Sequence, residues 1–183
     1  MNESCNRLLD RAWALMGDTP DNTEFSGKLV SLATIGRDGG PECRSVMLRH
    51  GDRASARLTI HTDISSTKIT ELRASDRASV LIWDEALQIQ IRARGTVLIT
   101  SGAAVSAIWN RVPDGSRSSY GVTPAPGTPI PASDAYDRTP DPAKFAVLTL
   151  VLNSLDVVHL AEDFHRRAFY ERNRDWAGQW LAP

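Results

Sequence analysis

Arg44, Arg49, Thr62, Ser65, Ser66 and Lys68 fall within one short stretch of the chain, at strand ends or at the start of a helix. Positions of that kind let several hydrogen-bond donors converge on one anion, above all a phosphate. Lys68 is the odd member. In the first turn of a helix the macrodipole already presents positive charge, so a cation there is unfavourable by roughly a few tenths of a kcal/mol. A bound anion turns that cost into a gain, whereas a solvated lysine merely bears it.

The elements that must carry these residues can be read from the pattern around them. Lys28–Ile35 alternates as a strand, Arg37-Asp-Gly-Gly40 marks a turn, and Arg44-Ser-Val-Met-Leu-Arg49 continues the second strand. Asp-Gly between alternating apolar runs signals a hairpin, in the first instance with a type I′ turn. Ala56–Thr62 is a third strand and Ser66–Ala74 a helix. Arg44 and Arg49 are an odd number apart, so an ideal strand points them to opposite faces. Both serve one site only through a bulge, or by acting at different ends of a ligand.

The formal net charge of -1 over 183 residues argues against a surface that tracks nucleic-acid phosphates. The length suits one domain spanning residues 1–183 with a full core. No run approaches membrane-span length, and Met1-Asn-Glu-Ser-Cys5 lacks a signal-peptide pattern, so a cytoplasmic protein is expected. Cys5 and Cys43 fit no metal spacing and no disulfide framework.

Elsewhere, Ser4–Met16 reads as a helix capped by Asn2 or Ser4 and ended by Gly17-Asp-Thr-Pro20. Ala78–Trp83 is a short buried strand. From Leu87 to Thr100 the alternation is strict: Leu87, Ile89, Ile91, Ala93, Val97 and Ile99 share one face, and Gln88, Gln90, Arg92, Arg94, Thr96 and Thr100 the other. Gly95 in its middle predicts a bulge or a close backbone approach. A helix is expected over 101–109. Seven of the ten prolines lie between Pro113 and Pro142, which marks 112–143 as a long irregular segment of functional or mobile character. Phe145–Leu152 and Asp156–Leu160 read as two strands about an Asn153-Ser154 turn, and 166–170 with 176–181 as a final hairpin. Many strands, few helices and no βαβ alternation predict a mainly β or α+β chain built as an antiparallel barrel. No glycine-rich nucleotide motif or P-loop is present, so a phosphate here must be held by side chains.

Four of these motifs, in order, resemble the pyridoxamine 5′-phosphate oxidase-like family of FMN-binding split β-barrels: Arg44-Ser-Val-Met-Leu-Arg49, Ile60-His-Thr62, Ser66-Thr-Lys68 and Gln90-Ile-Arg-Ala-Arg-Gly95. His165-Arg-Arg-Ala-Phe-Tyr-Glu-Arg172 and Leu181-Ala-Pro183 are similar to the family's carboxy-terminal part. The likeness is greater to the uncharacterised FMN-binding branch than to the oxidase proper. It implies a Greek-key split barrel, usually a homodimer with flavin at the subunit interface.

The resemblance also implies roles. The Arg44, Ser45, Val46, Met47, Leu48, Arg49 strand would lie along the cofactor, with Arg44 near the ring or ribityl phosphate and Arg49 toward the substrate. His61, Thr62, Thr67 and Lys68 would contact FMN, with Lys68 on its phosphate; Gln90 would bond the ring, and Arg167 would reach it from the partner subunit. Ser116 and His165 are substrate candidates, and His61 and His165 are the candidate acid–base groups. A hydride would pass through flavin N5, to or from an unknown small molecule.

The departures from the family point away from vitamin B6 oxidation. Asp163 and His165 stand where the oxidase has an Arg-x-His pair, Thr67 replaces a basic residue, Val157 replaces a tryptophan, and no Gln-Ser pair appears near Ala125-Pro126. An acid in place of a phosphate-binding arginine repels. Taken without the resemblance, Arg44 reads as a surface ion-pair member, Gln90 as a solvated strand residue, and the tryptophans as core or interface. The other readings are a flavin-binding protein without turnover, a deazaflavin-dependent reductase, and an oligonucleotide-binding barrel, the last opposed by 7% aromatic content.

Overall fold

The computed structural model describes residues 4–17 and 28–183. Helix α1 (Cys5–Leu15) starts where Ser4 accepts a hydrogen bond from the Arg7 N–H at 3.2 Å. The alternative cap Asn2 and most of the Gly17–Pro20 terminator lie outside the described residues. Leu8, Leu9, Ala12 and Trp13 are buried, and the Tyr170 hydroxyl donates to the Cys5 carbonyl at 2.7 Å, fastening α1 to the sheet.

Strands β1 (Lys28–Ile35), β2 (Pro41–Asp52), β3 (Arg57–Asp63), helix α2 (Thr67–Ala74), β4 (Arg77–Asp84) and β5 (Ile89–Ser101) follow in order. Short helical turns over 102–105 and Ser106–Trp109, then Asp114–Arg117, lead into a two-strand ribbon, β6 (Val122–Thr123) with β7 (Asp137–Arg138). The chain ends with β8 (Phe145–Leu160), β9 (His165–Glu171) and β10 (Gly178–Leu181).

All pairings are antiparallel, in the order β10-β9-β8-β3-β2-β1-β4-β5, and β5 pairs back onto β8. Six strands therefore close a barrel, with β9 and β10 as a flange on the far half of β8. The core is the barrel interior, including Leu32, Leu58, Ile60, Val80, Ile82, Ile91, Leu148 and Leu150, plugged by α1 and by Ile69 and Leu72 of α2.

Two expectations need correcting. Phe145–Leu152 and Asp156–Leu160 are one continuous strand, because Asn153 is absorbed as a bulge opposite Arg94 and Gly95 instead of turning the chain. Gly95 is where backbones meet: a Cβ there would overlap the Val151 carbonyl. The β1–β2 turn is not type I′. Only Gly39 has positive φ, at 83°, and its N–H donates to the Gly36 carbonyl at 2.9 Å, so the chain makes a type I turn followed by a left-handed glycine.

Candidate functional site

The site grows from the corner where β3 runs into α2. Asp63, the last residue of β3, is buried, and its carboxylate accepts from the Ser65 N–H at 2.7 Å and the Ser65 hydroxyl at 2.5 Å. The Ser66 hydroxyl donates to the Asp63 carbonyl at 2.8 Å, so it does not cap α2, and no side chain does. Lys68 folds back from the first turn of α2 and donates to the Thr62 hydroxyl at 3.1 Å, beside Ser66. Burial pushes the Lys68 amine below the usual lysine range, and the nearby Arg44 guanidinium lowers it further, against the pull of Asp63 and Glu71. The corner thus holds a part-desolvated cation, two hydroxyls and an uncapped helix start.

Behind it, Arg44 donates to Glu71 at 2.8 Å and to the Thr34 hydroxyl, while Thr34 donates to Glu71 at 2.6 Å. Arg44 shares the inner face of its strand with Val46 and Leu48, so its guanidinium turns into the barrel end under α2. Within one chain its nearer acidic partner is Glu71, with Glu42 at 3.7 Å; nothing in the Thr67–Ala74 pattern marked Glu71 as more than a surface helix carboxylate.

The bulge needed for Arg49 is present. The β2–β3 register slips between Leu48 and His50, which frees Arg49 from strict alternation. His61 faces outward from β3, where Phe145, Val147 and Tyr120, with Trp109 packed against them, form a small second core. Phe145 meets the imidazole edge-on at 5.1 Å between ring centroids. Only 7% exposed, His61 has neither ring nitrogen hydrogen-bonded. Burial lowers its pKa from 6.5 to about 4, with Arg49 and Arg111 adding to the effect. It is therefore a neutral imidazole at pH 7. His61 and Thr62, adjacent in sequence, serve opposite faces of β3.

Gln90 and Arg167 form a second group. Gln90 pairs with Trp83 and Val158, and Val158 pairs with Arg167, so one outward row crosses four strands. In the next row Asp156 accepts from Arg167 at 3.0 and 2.8 Å and from Arg92. Burial alone would raise the Asp156 carboxyl, but the two arginines hold it below the usual carboxylate range, and Asp156 in turn raises Arg167. Asp156 was a missed member; its signal was an acid inside the apolar Val151–Leu160 run. Among the described residues, no hydrogen bond or ion pair joins this group to the Lys68 corner.

The proline-rich segment is tied to the corner. The Gly121 N–H donates to Asp63 at 2.9 Å, and Gly127 lies against Thr67, whose hydroxyl would be 2.9 Å from a Cβ there. Ser116 is half-buried in the Asp114–Arg117 turn, next to Arg117, which stacks over Trp109 at 5.4 Å. His165 is exposed at the start of β9. Asp163 does not stand free: it is bidentate to Arg166, which holds its carboxyl well below the ordinary range. Ser45 is exposed, Met47 and Val46 are half-buried, and Leu48 is buried in the core. No cluster of metal-ligating side chains occurs among the described residues.

These residues fit an aromatic group carrying a phosphate. Lys68, Thr62 and Ser66 supply charge and hydroxyl donors at an uncapped helix start, and His61 offers buried nitrogens without partners. The main departure is Arg44, which Glu71 already neutralises.

Comparison with known proteins agrees with that chemistry. Residues 12–101 match the model of "Pyridoxamine 5'-phosphate oxidase, FMN-binding domain". A pyridoxine/pyridoxamine 5′-phosphate oxidase of Brucella anthropi is 34% identical over 88 residues, which are 48% of this chain and 42% of that protein. One from Thermosynechococcus vestitus is 35% identical over 48% of this chain and 41% of its own length. The alignments thus span less than half the length of the curated relatives. A pyridoxamine 5′-phosphate oxidase-related, FMN-binding protein from Nostoc punctiforme shares the fold with a TM-score of 0.71 at 24% identity, covering 85% of this chain and 87% of that one. PhzG from Burkholderia lata, solved with tetrahydrophenazine-1-carboxylic acid, gives 0.71 at 22% identity, covering 96% and 91%.

Proposed function

Since the chain belongs, through residues 12–101, to the pyridoxamine 5′-phosphate oxidase-type FMN-binding family, we propose that it is an FMN-dependent oxidoreductase acting on a small molecule other than a vitamin B6 phosphate. The observation that carries this reading is Lys68: a part-buried amine, its pKa lowered, beside Thr62 and Ser66 at an uncapped helix start. A phosphate placed there would pull that pKa back up. When bound, FMN supplies the two-electron chemistry, and the protein's part is binding, orientation and exclusion of water.

Lys68, Thr62 and Ser66 hold the phosphate in this proposal. Gln90 and Arg167 approach the ring, and because they sit apart from the Lys68 corner within one chain, they do so across a homodimer interface. Support for the dimer is the outward sheet face: Leu81 and Trp83 are exposed beside the Gln90 row, and Leu181 lies at its end. Arg167, held in place by Asp156, would sit as a fixed cation where charge develops on reduction. His61 is neutral and beneath the second core, which suits a hydrogen-bonding role better than that of a proton donor at pH 7. The Asp163–Arg166 pair, where the family's oxidases grip a phosphorylated substrate, opposes that substrate.

The test is a visible absorbance spectrum of the purified chain, before and after FMN addition and desalting, followed by titration of variants. Lys68→Ala and Arg167→Ala are each expected to weaken FMN at least tenfold, about 1.4 kcal/mol. Unchanged titrations in both would remove the assignment.

A further inference from the structure

A second concavity opens on the sheet and meets the Arg44–Glu71 group only at Thr34. It is a cavity of about 1140 Å³ formed by β4, β5, β8 and β9 with the end of β1. Three arginines, Arg77, Arg94 and Arg172, line it, together with Ser79, Ser154 and Phe169. Register brings them together: Arg94 pairs with Ser79 on one side and Ser154 on the other, and Arg77 pairs with Thr96, one outward position along from Arg94. Arg172 directly follows Glu171, the partner of Ser154 across β8–β9. The bulge at Asn153 sets the floor, since Asn153 and Ser154 both line the cavity where the β5–β8 register slips.

Charge use differs along this face. Arg92, one outward position before Arg94, is committed to Asp156. Arg77, Arg94 and Arg172 form no ion pair among the described residues, although Asp76 and Glu171 also line the cavity. Guanidinium groups gathered without ion-pairing keep their fork donors open, and such forks match phosphate oxygens in bidentate geometry. The volume suits a small-molecule ligand, and Phe169 provides an aromatic wall.

We propose that this cavity is a second ligand site, taking a phosphorylated small molecule with an aromatic body of nucleotide size. Arg77, Arg94 and Arg172 hold its phosphates and Phe169 packs on its ring. Arg94 and Ser154 lie two outward rows along the strands from Gln90 and Arg167, with Phe169 in the row between, so the phosphate end of the site is separate from those residues and its assignment does not depend on the flavin reading.

The experiment is calorimetric titration of the full chain, with and without added FMN, using inorganic pyrophosphate and ADP as probes. Both are expected to bind saturably, ADP several-fold tighter than pyrophosphate. Arg94→Ala and Arg172→Ala should each weaken both probes at least fivefold and leave flavin absorbance after desalting unchanged. Phe169→Ala should remove only the advantage of ADP. Arg94→Lys, which keeps the charge but not the fork, should fall between wild type and alanine. No saturable binding of either probe, equal affinities in the arginine variants, or equal affinities of ADP and pyrophosphate would overturn the assignment. So would loss of self-association in Arg94→Ala by sedimentation, which would make the arginines subunit contacts. Loss of flavin without loss of ADP binding would fault only the flavin reading.

Discussion

Replacing His61 by phenylalanine should remove most of the pH dependence of stability between pH 7.5 and 5. In the folded chain the imidazole titrates at about 4 in place of 6.5, because it is buried against Phe145 with Arg49 and Arg111 nearby. A folded pKa below the unfolded one means that the unfolded chain binds the proton first. Acidification therefore favours unfolding, starting as pH falls through 6.5 and levelling off below about 4. The whole shift corresponds to roughly 3 kcal/mol, of which about 2 kcal/mol is lost by pH 5. That window is useful because the lowered carboxyls, Asp52, Asp84, Asp156 and Asp163, stay ionised through most of it. The assay is urea unfolding followed by tryptophan fluorescence, at fixed protein concentration, at several pH values from 7.5 to 5. Wild type should lose about 2 kcal/mol across the series, and His61→Phe much less. His61→Leu serves as a second variant should the larger ring disturb the packing. Parallel pH curves for wild type and both variants would refute the reasoning, since the protonation cost would then lie elsewhere.

Two further outcomes follow from the packing. Glu71→Gln leaves Arg44 and Lys68 side by side without their shared carboxylate, and should cost about 1–3 kcal/mol in urea unfolding. Added phosphate should recover more stability in that variant than in wild type, and an equal effect would argue against an anion at Lys68. Gly95→Ala drives a methyl into the Val151 carbonyl at the bulge and should cost about 2 kcal/mol or more in thermal unfolding. An unchanged midpoint would mean that the bulge shifts freely.

Much of the scaffold was legible because it is written in short-range signals. Lys28–Ile35, Ala78–Trp83 and the alternation from Leu87 to Thr100 became β1, β4 and β5, and Gly95 sits at the register slip its position suggested. Lys68 stood out because a cation at a helix start is locally unfavourable, and it became the centre of the corner. What failed was information carried by partners far off in sequence. Asn153-Ser154 looks like a turn locally, yet β5 lies along one edge of β8 throughout and carries the strand straight on. Asp38-Gly39 signalled a type I′ hairpin, and the chain took instead a geometry that needs a single positive φ. Glu71 and Asp156 gain meaning only once Arg44, Arg92 and Arg167 are placed beside them. Gln90 and Arg167 share a row that no local pattern could have joined.

Strand β8 has a consequence for how the chain must be assembled. Before it is made, β3-β2-β1-β4-β5 is an open sheet whose two ends, β3 and β5, each expose a row of unsatisfied backbone groups. One strand seals both, β3 along Phe145–Val151 and β5 along nearly its whole length, and only after the chain returns from the proline-rich excursion. The segment that matches the family model stops at residue 101, so by itself it would be that unsealed sheet. Exposed edges of this kind recruit other strands. A chain cut before residue 145 should therefore aggregate instead of persisting as a smaller flavin-binding unit. Amide hydrogens of β8, paired on both sides, should be among the last to exchange.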